Sequence, residues 1–191
     1  MKLVFYKTLL KRGKNLTANE RILYSFLVSK SISRIDEVFD KNGQMINYGV
    51  LLDVLNENNN KLPLCEISHA KLAKELGVTR VNIINGFKHL RELGYILQDS
   101  NGKDYVFTNE ILLEHGYFLL ADNKDIGGEL LIFYSYLIDR INVYDNCVDI
   151  PKERLAVDIG KTFVATTKLL NRLYDLGLAK RLENGKIFIK T

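Results

Sequence analysis

The sequence predicts a mainly α-helical α+β protein built from two tandem copies of one domain. Three observations lead to this prediction. A segment of 30 residues recurs 83 residues further along the chain, the periodic segments have the apolar spacing of amphipathic helices, and an Asn-Gly pair between β-rich runs follows each copy. The length of 191 residues fits one large domain or two small ones.

The internal repeat aligns residues 67–96 with residues 150–179 without a gap. Nine aligned positions are identical: Ile67/Ile150, Leu72/Leu155, Ala73/Ala156, Gly77/Gly160, Thr79/Thr162, Val81/Val164, Leu90/Leu173, Leu93/Leu176 and Gly94/Gly177. At the same offset, the Asn-Gly-Lys sequence at 101–103 falls on the one at 184–186. The repeat therefore extends past its helices into a predicted hairpin in each copy.

An insertion makes the first copy longer than the second. The sequence Tyr-Ser-Phe-Leu at 24–27 resembles Tyr-Ser-Tyr-Leu at 134–137, but at an offset of 110 instead of 83. The first copy thus carries 27 extra residues between these blocks. The domain organisation we expect is a first domain over 1–108 with an insertion at about 29–62, a linker over 109–127, and a second domain over 128–191.

Capping residues and glycines delimit the elements of the first copy. Thr17 and Glu20 form a capping-box pattern before the apolar residues of 22–27, which predicts a helix. The elements expected after it are a strand within 62–67, a helix over 69–76 that Ser68 caps and Gly77 ends, a helix from Thr79 to about Leu93 that Gly94 ends, and strands at 95–97 and 105–107.

The second copy repeats this order. The expected elements are a helix over 129 to about 142, a strand over 147–150, a helix from Pro151 to Ile159, a turn at Gly160, a helix from Thr162 that Gly177 ends, and strands at 178–181 and 187–190. In the linker, residues 110–115 are expected to form a short helix and the apolar run 117–120 to be buried between the domains. We therefore expect a nearly fixed relation between the two copies.

Composition excludes several classes of protein. The hydrophobic share of 47% is typical of globular proteins, and no apolar run approaches the roughly 18 residues of a membrane span. Lys7, Lys11 and Arg12 interrupt any apolar core of a secretory signal. Cys65 and Cys147 are far apart, which favours a reducing compartment over a disulfide or zinc framework. We therefore expect a cytoplasmic protein without a membrane partner.

Charge is distributed in alternating blocks along the chain. Residues 1–34 carry eight Lys and Arg against one acidic residue, and residues 150–191 carry nine against four. Residues 109–149 carry two basic residues and eight acidic ones. Basic clusters and a pI of 8.9 favour a nucleic-acid partner, although ordinary solvated faces would give the same counts.

The order of helix, strand, helix, glycine turn, helix and hairpin resembles the winged helix-turn-helix. The sequences Leu72-Ala73-Lys74-Glu75-Leu76-Gly77-Val78-Thr79 and Leu90-Arg91-Glu92-Leu93-Gly94-Tyr95-Ile96 are similar to the helix-turn-helix core of bacterial DNA-binding regulators. The resemblance covers about 17–108 and 128–191, so it implies two tandem winged helix domains. Such a tandem is also similar to plasmid and phage replication initiators, although the insertion around 40–43 departs from a minimal winged helix.

The resemblance implies binding of double-stranded DNA, for regulation of transcription or for replication initiation of a mobile element. A helix enters the major groove when its exposed face is polar and its flanks are basic. In the first such helix, Ile83, Phe87 and Leu90 form the predicted inward stripe, Gly86 allows close helix packing, and Ile84 is a further outward candidate. The candidate DNA-binding residues are Arg80, Asn85, Lys88 and Lys103 in the first domain, and Lys161, Thr167, Lys168, Arg172 and Lys186 in the second.

The sequence contains no catalytic or cofactor motif. Gly160-Lys161-Thr162 lacks the upstream glycine of a phosphate-binding loop, because the chain has Leu155 there and a helix precedes the turn. Residues 36–43 do not match a calcium loop. His69, His89 and His115 lack metal-ligand spacing, and nothing resembles a Ser-His-Asp or Cys-His constellation. We expect a non-enzymatic protein without a metal or cofactor.

Two alternatives stay open. The winged helices could bind partner proteins, which would make the chain an interaction scaffold. The chain could also act as a homodimer.

Overall fold

Helices and three small antiparallel sheets make up the described part of the chain, which is an α+β architecture. The computed structural model describes residues 3–11, 15–40, 42, 44–108, 116–123 and 125–191. The α+β class that the sequence predicts is confirmed.

The first half contains two elements at the N-terminus and then the first copy of the repeat. Its elements are β1 (Val4–Tyr6), α1 (Thr8–Lys11), α2 (Ala18–Ser31), α3 (Ile35–Val38), α4 (Tyr48–Glu57), β2 (Lys61–Pro63), α5 (His69–Leu76), α6 (Arg80–Glu92), β3 (Ile96–Gln98) and β4 (Asp104–Phe107). Strand β4 lies between β2 and β3, with Val106 opposite both Leu62 and Ile96. These three side chains are buried, so this register turns one face of the sheet toward the core.

The second half repeats the arrangement without the insertion. Its elements are β5 (Tyr117–Leu119), α7 (Gly128–Asp139), β6 (Cys147–Val148), α8 (Lys152–Asp158), α9 (Phe163–Asp175), β7 (Ala179–Arg181) and β8 (Ile187–Ile189). Strand β8 lies between β6 and β7, as β4 lies between β2 and β3. Apart from α3 and α4, the chain from α2 onward therefore follows the same order as the chain from α7 onward: helix, strand, two helices and hairpin.

Equivalent hydrogen bonds close both copies. The Tyr24 hydroxyl donates to the carbonyl oxygen of Phe107 at 2.6 Å, and the Tyr134 hydroxyl donates to the carbonyl oxygen of Lys190. The two tyrosines are 110 residues apart and the two carbonyl groups are 83 residues apart. These are the two offsets found in the sequence repeat, so the donors and acceptors of these hydrogen bonds are equivalent residues of the two copies. Burial raises the pKa of both phenols, which keeps them neutral donors. Each phenol thus ties the first helix of its copy to the end of the last strand.

Side-chain caps begin the helices where the sequence predicts. The Thr17 amide donates to Glu20 Oε2 at 2.7 Å, and the Glu20 amide donates to Thr17 Oγ1 at 3.3 Å, which completes the capping box. Ser68, Thr79 and Thr162 each accept a hydrogen bond from the amide three residues later. The predicted helix ends are wrong by a few residues: α7 stops at Asp139, and Pro151 is the N-cap of α8, outside the helix.

Helices α3 and α4 occupy the insertion. Asn47 begins α4 by accepting a hydrogen bond from the Val50 amide at 3.2 Å, and the apolar residues Leu51, Val54 and Leu55 are buried. Before α4, Asp40 Oδ1 accepts hydrogen bonds from the amides of Asn42 and Gln44, each at 2.8 Å. Asp40 therefore organises a turn, while Lys41 and Gly43 lie outside the described residues.

A two-stranded sheet joins the N-terminus to the predicted linker. Strand β1 pairs antiparallel with β5, and the stacked rings of Phe5 and Phe118 lie 5.1 Å apart. Of the run 117–120, which was expected to be buried, Phe118 and Leu120 are buried and Tyr117 and Leu119 are half-buried. Strand β1 packs on α2 and β5 packs on α7, so this sheet contacts both halves. The helix expected over 110–115 lies outside the described residues.

The N-terminal segment also contacts the second half directly. Lys7 Nζ lies 2.8 Å from Asp139 Oδ2 at the end of α7. The backbone of α1 covers the turn between α8 and α9 so closely that a Cβ on Gly160 would lie 2.6 Å from the Leu10 carbonyl oxygen. One hydrophobic cluster contains buried residues of both halves. These contacts agree with the expected fixed relation between the copies.

Candidate nucleic-acid interface

Helix α6 is held in place by its cap and by its inward stripe. Thr79 Oγ1 accepts a hydrogen bond from the Asn82 amide at 3.2 Å and starts the helix after the left-handed turn at Gly77. The predicted inward residues Ile83, Phe87 and Leu90 are buried. The opposite side of α6 is consequently exposed from its first residue.

Gly86 sets how closely α6 approaches α2. A Cβ at Gly86 would lie 2.9 Å from Leu23 Cδ2, so the two helices meet at a distance that only glycine allows without a shift of Leu23. The close packing that the sequence predicts at Gly86 is therefore present.

The exposed side of α6 and the hairpin beside it form the first face. We define it by the exposed residues Arg80, Val81, Ile84, Asn85 and Lys88 on α6, and Lys103 in the β3–β4 turn. Lys88 is loosely associated with Glu92, whose Oε1 lies 3.9 Å from Lys88 Nζ. No ion pair joins Arg80 to any residue that the structure describes. The four residues predicted here as DNA contacts are all exposed, and at least Arg80 is a free cation among the described residues.

The β3–β4 hairpin is ordered by Asp99. Its Oδ1 accepts hydrogen bonds from the amides of Lys103 and Asn101, each at 2.9 Å, and these bonds, led by the one from Lys103, lower the pKa of the Asp99 carboxyl. Gly102 has a φ of +81°, which completes the turn. Lys103 Nζ lies 5.6 Å from the Tyr105 ring centroid, so the lysine extends from an ordered hairpin tip.

An ion pair fixes the hairpin relative to α6. Arg91 near the end of α6 donates to Asp104 Oδ2 at 2.6 Å, and Asp104 is the residue after Lys103. Sequence reasoning did not predict this contact, because nothing in the local pattern links a helix residue to a strand 13 positions away. The pair keeps the hairpin tip and the helix in one spatial relation.

The second copy presents a different arrangement on α9. We define the second face by the exposed residues Phe163, Val164, Lys168, Asn171 and Arg172, together with Lys186 in the β7–β8 turn. Thr162 Oγ1 accepts a hydrogen bond from the Ala165 amide at 3.2 Å and caps the helix. Thr166, Leu170 and Leu173 are buried on the inner side of α9. Lys168 and Arg172 are exposed, as expected of outward residues.

Three predicted contacts of the second copy are not free at the surface. Thr167 Oγ1 is buried, so its predicted outward orientation is wrong: the hydroxyl turns toward the protein. Lys161 Nζ lies 3.0 Å from Glu129 Oε1. Lys186 Nζ lies 3.5 Å from Asp145 Oδ2 and 3.9 Å from Asp149 Oδ2. Both lysines are thus partly neutralised by carboxylates, which makes the second face less basic than the sequence indicates.

The repeat alignment shows how the two faces differ. Phe163 occupies the position of Arg80 and is 45% exposed, and Val157 on α8 occupies the position of Lys74 and is 60% exposed. Apolar side chains therefore replace two cations of the first copy at the corresponding surface of the second. Asn171, at the position of Lys88, was not predicted as a surface contact, although the offset of 83 identifies it.

Helix α6 is also linked to α2 through a histidine. His89 Nδ1 lies 2.9 Å from Glu20 Oε1, the same carboxyl that completes the Thr17 capping box. Burial opposes ionisation of Glu20, but the hydrogen bonds from Thr17 and His89 outweigh it and lower the pKa of the Glu20 carboxyl.

Acid is therefore expected to destabilise the contact between α2 and α6. Because the pKa of Glu20 is lower in the folded chain, its contribution is complete above the ordinary value of 4.5 and is lost as pH falls through the folded-state value. Urea unfolding between pH 7 and pH 3 should show a smaller acid loss for Glu20→Gln than for the wild type. Glu153→Gln, at an exposed position of α8, is the matched control. An unchanged acid loss in Glu20→Gln would contradict this assignment.

The remaining candidates for chemistry are in structural surroundings. The His69 ring packs 5.0 Å from the Phe87 ring, and His115 lies outside the described residues. Cys147 is buried in β6. Cys65 is half-buried and lies outside β2, because β2 ends at Pro63 although the sequence predicts a strand within 62–67. Within the described ranges, no group of three or more His, Cys, Asp or Glu could hold a metal ion. No helix in the same residues is long and apolar enough to span a membrane.

Comparison of the chain with models of protein families, with curated proteins and with solved structures found no match.

Proposed function

We propose that the chain binds double-stranded DNA through two tandem winged helix-turn-helix domains. The observation that carries the proposal is the first face, where Arg80, Asn85 and Lys88 are exposed along one helix and Lys103 extends from the adjoining hairpin. A helix of this kind can lie in the major groove while the hairpin contacts the backbone.

Each exposed side chain of the first face has a chemistry suited to DNA. An arginine can donate two hydrogen bonds to guanine, and an asparagine can pair with adenine through its amide. Lys88 and Lys103 are suited to phosphate oxygens, which position the protein without reading sequence. Arg80 and Asn85 are accordingly the proposed base readers.

The second copy contributes in a different proportion. Lys168 and Arg172 on α9 are exposed, but Lys161 and Lys186 face carboxylates. The electrostatic contribution to DNA binding therefore comes mainly from the first copy, with Lys168 and Arg172 as the contacts of the second.

Retention of duplex DNA is expected to be strong at low salt and to weaken by orders of magnitude between about 50 and 200 mM salt. Arg80→Ala should relax base preference at one position by about 1–3 kcal/mol. Lys103→Ala should weaken binding to all sequences alike. The measurement is filter retention of duplexes selected from a random pool.

Three matched substitutions control for the loss of charge. Arg34→Ala removes an exposed arginine that pairs with Glu37 on α3, away from both faces, and should leave base preference unchanged. Lys161→Ala and Lys168→Ala each remove one lysine of the second copy, but only the exposed Lys168 should affect affinity. If no duplex is retained at low salt, the proposal is wrong.

The biological role within this proposal is regulation of transcription or replication initiation of a mobile element. Two unlike faces on one chain suit an asymmetric site of about two helical turns, roughly 20 base pairs. Direct repeats of the footprinted site near an origin would favour initiation. A palindrome at a promoter, occupied only by dimers, would favour regulation by a homodimer.

A second candidate function is an interaction scaffold, and a specific observation favours it. Phe163 of the second face is 45% exposed, and Val157 on the adjoining α8 is 60% exposed, where the first copy has cations. This apolar surface could hold a partner protein. Under this alternative the chain would show no salt-dependent retention of duplex DNA.

A further inference from the structure

Two apolar side chains interrupt the polar surface of the first face. Val81 is 63% exposed and Ile84 is 43% exposed, one turn apart on the outward side of α6. Valine and isoleucine are weaker helix formers than alanine, lysine or glutamate, so helix stability does not explain them at exposed positions. None of the described parts of the chain covers them.

The repeat places a second valine at the same point of the other copy. Val164 corresponds to Val81 in the alignment and is also 63% exposed, at the second residue of α9. Several other identical pairs have structural roles, since Leu72/Leu155 and Leu90/Leu173 are buried and Thr79/Thr162 are helix caps. Leu93/Leu176 is a further identical apolar pair that is exposed, at 38% and 42%, but it lies at the C-caps of α6 and α9. Val81/Val164 lies instead in the first turn, on the outward side of each helix, where a contact made outside the chain accounts for it.

The neighbours of Val81 and Ile84 indicate what that contact is. The exposed side chains of Arg80, Asn85 and Lys88 surround them, and Arg80 has no carboxylate partner among the described residues. A cationic border matches a polyanion, and the major groove of DNA offers one apolar group, the 5-methyl group of thymine. We infer that Val81 and Ile84 contact thymine 5-methyl groups and make thymine part of the sequence recognised by α6. This inference rests on the proposed DNA binding.

Replacement of thymine by deoxyuridine tests the contact, because it removes the methyl group and leaves base pairing intact. In the duplex selected by the wild-type chain, each thymine is replaced in turn and the dissociation constant is measured. The expected loss at the contacted thymines is about three- to fivefold, the value of one buried methyl group. The Val81→Ala variant should bind the thymine duplex more weakly by a similar factor. At one of the contacted positions, this variant should bind the thymine and deoxyuridine duplexes equally well.

Val143→Ala is the matched control, since Val143 is 80% exposed in the loop between α7 and β6. It should keep both the affinity and the preference for thymine. Equal affinities for thymine and deoxyuridine at every position of a retained duplex would overturn the inference while leaving DNA binding in place. Full discrimination by Val81→Ala would also overturn it. Failure of the wild-type chain to retain any duplex would overturn the proposed function itself.

Discussion

Replacing Glu129 by alanine is expected to lower the free energy of unfolding by about 3 kcal/mol, because it leaves the buried Arg21 guanidinium without its carboxylate partner. The Arg21 side chain is only 6% exposed and pairs with Glu129 Oε1. The same oxygen lies 3.0 Å from Lys161 Nζ. The substitution therefore removes the carboxylate that lies between two cations, Arg21 and Lys161. Urea unfolding at neutral pH measures the loss.

Two controls separate this network from general effects of charge. Glu153 lies in the first turn of α8, as Glu129 lies in the first turn of α7, but it is exposed. Glu153→Ala should therefore cost only the favourable interaction with the helix dipole, about 0.3–1 kcal/mol. Lys161→Ala leaves the pair of Arg21 and Glu129 intact and should cost less than about 1 kcal/mol. Equal losses for Glu129→Ala and Glu153→Ala would contradict the network.

The network also shows a limit of sequence reasoning. The apolar spacing of α2 predicts one buried face, yet Arg21, Ser25 and Ser29 on its other side are buried as well. The reason is that α2 packs against α6 on one side and α7 on the other, and contacts with a distant helix leave no local pattern. A buried arginine is acceptable there only because Glu129, 108 residues later, reaches it.

Local signals, in contrast, predicted the elements of the two copies well. Caps at Ser68, Thr79 and Thr162 and the inward stripe of α6 depend on residues within one or two turns of each other, and each is found where expected. Strands β1 and β5 were not predicted as a pair. Strand β1 is buried on both faces and has no alternation, and the three residues of β5 are too few for its alternation to be detected. Helix α4 could have been predicted from the spacing of Leu51, Val54 and Leu55 after Asn47.

The candidate interface was predictable to the same extent. Exposure of Arg80, Asn85 and Lys88 follows from helical periodicity once Ile83, Phe87 and Leu90 are placed inward. Periodicity does not reveal which surface cations have partners. The carboxylates that face Lys161 and Lys186 come from α7 and from the 145–149 segment, which only the folded chain brings near them.

Gly160→Ala is expected to destabilise the chain by about 2–4 kcal/mol, more than the same change at Gly77. Both glycines end the first of two consecutive helices with a φ of +65°, so alanine costs each of them about 1 kcal/mol in backbone conformation. A Cβ on Gly77 meets nothing within 4 Å, whereas a Cβ on Gly160 would lie 2.6 Å from the Leu10 carbonyl oxygen. Backbone atoms cannot move aside as a flexible side chain can, so α1 would have to leave the turn.

The difference between the two variants measures how firmly α1 sits on the second half. Gly177→Ala, with a φ of +66° and open space around its Cβ, gives a second value for the conformational cost alone. Urea unfolding of the three variants should place Gly77→Ala and Gly177→Ala together and Gly160→Ala well below them. If all three lost the same free energy, α1 would not be packed against the α8–α9 turn. A larger loss at Gly160 would show that the N-terminal segment, the first part of the chain, stabilises the copy that comes last.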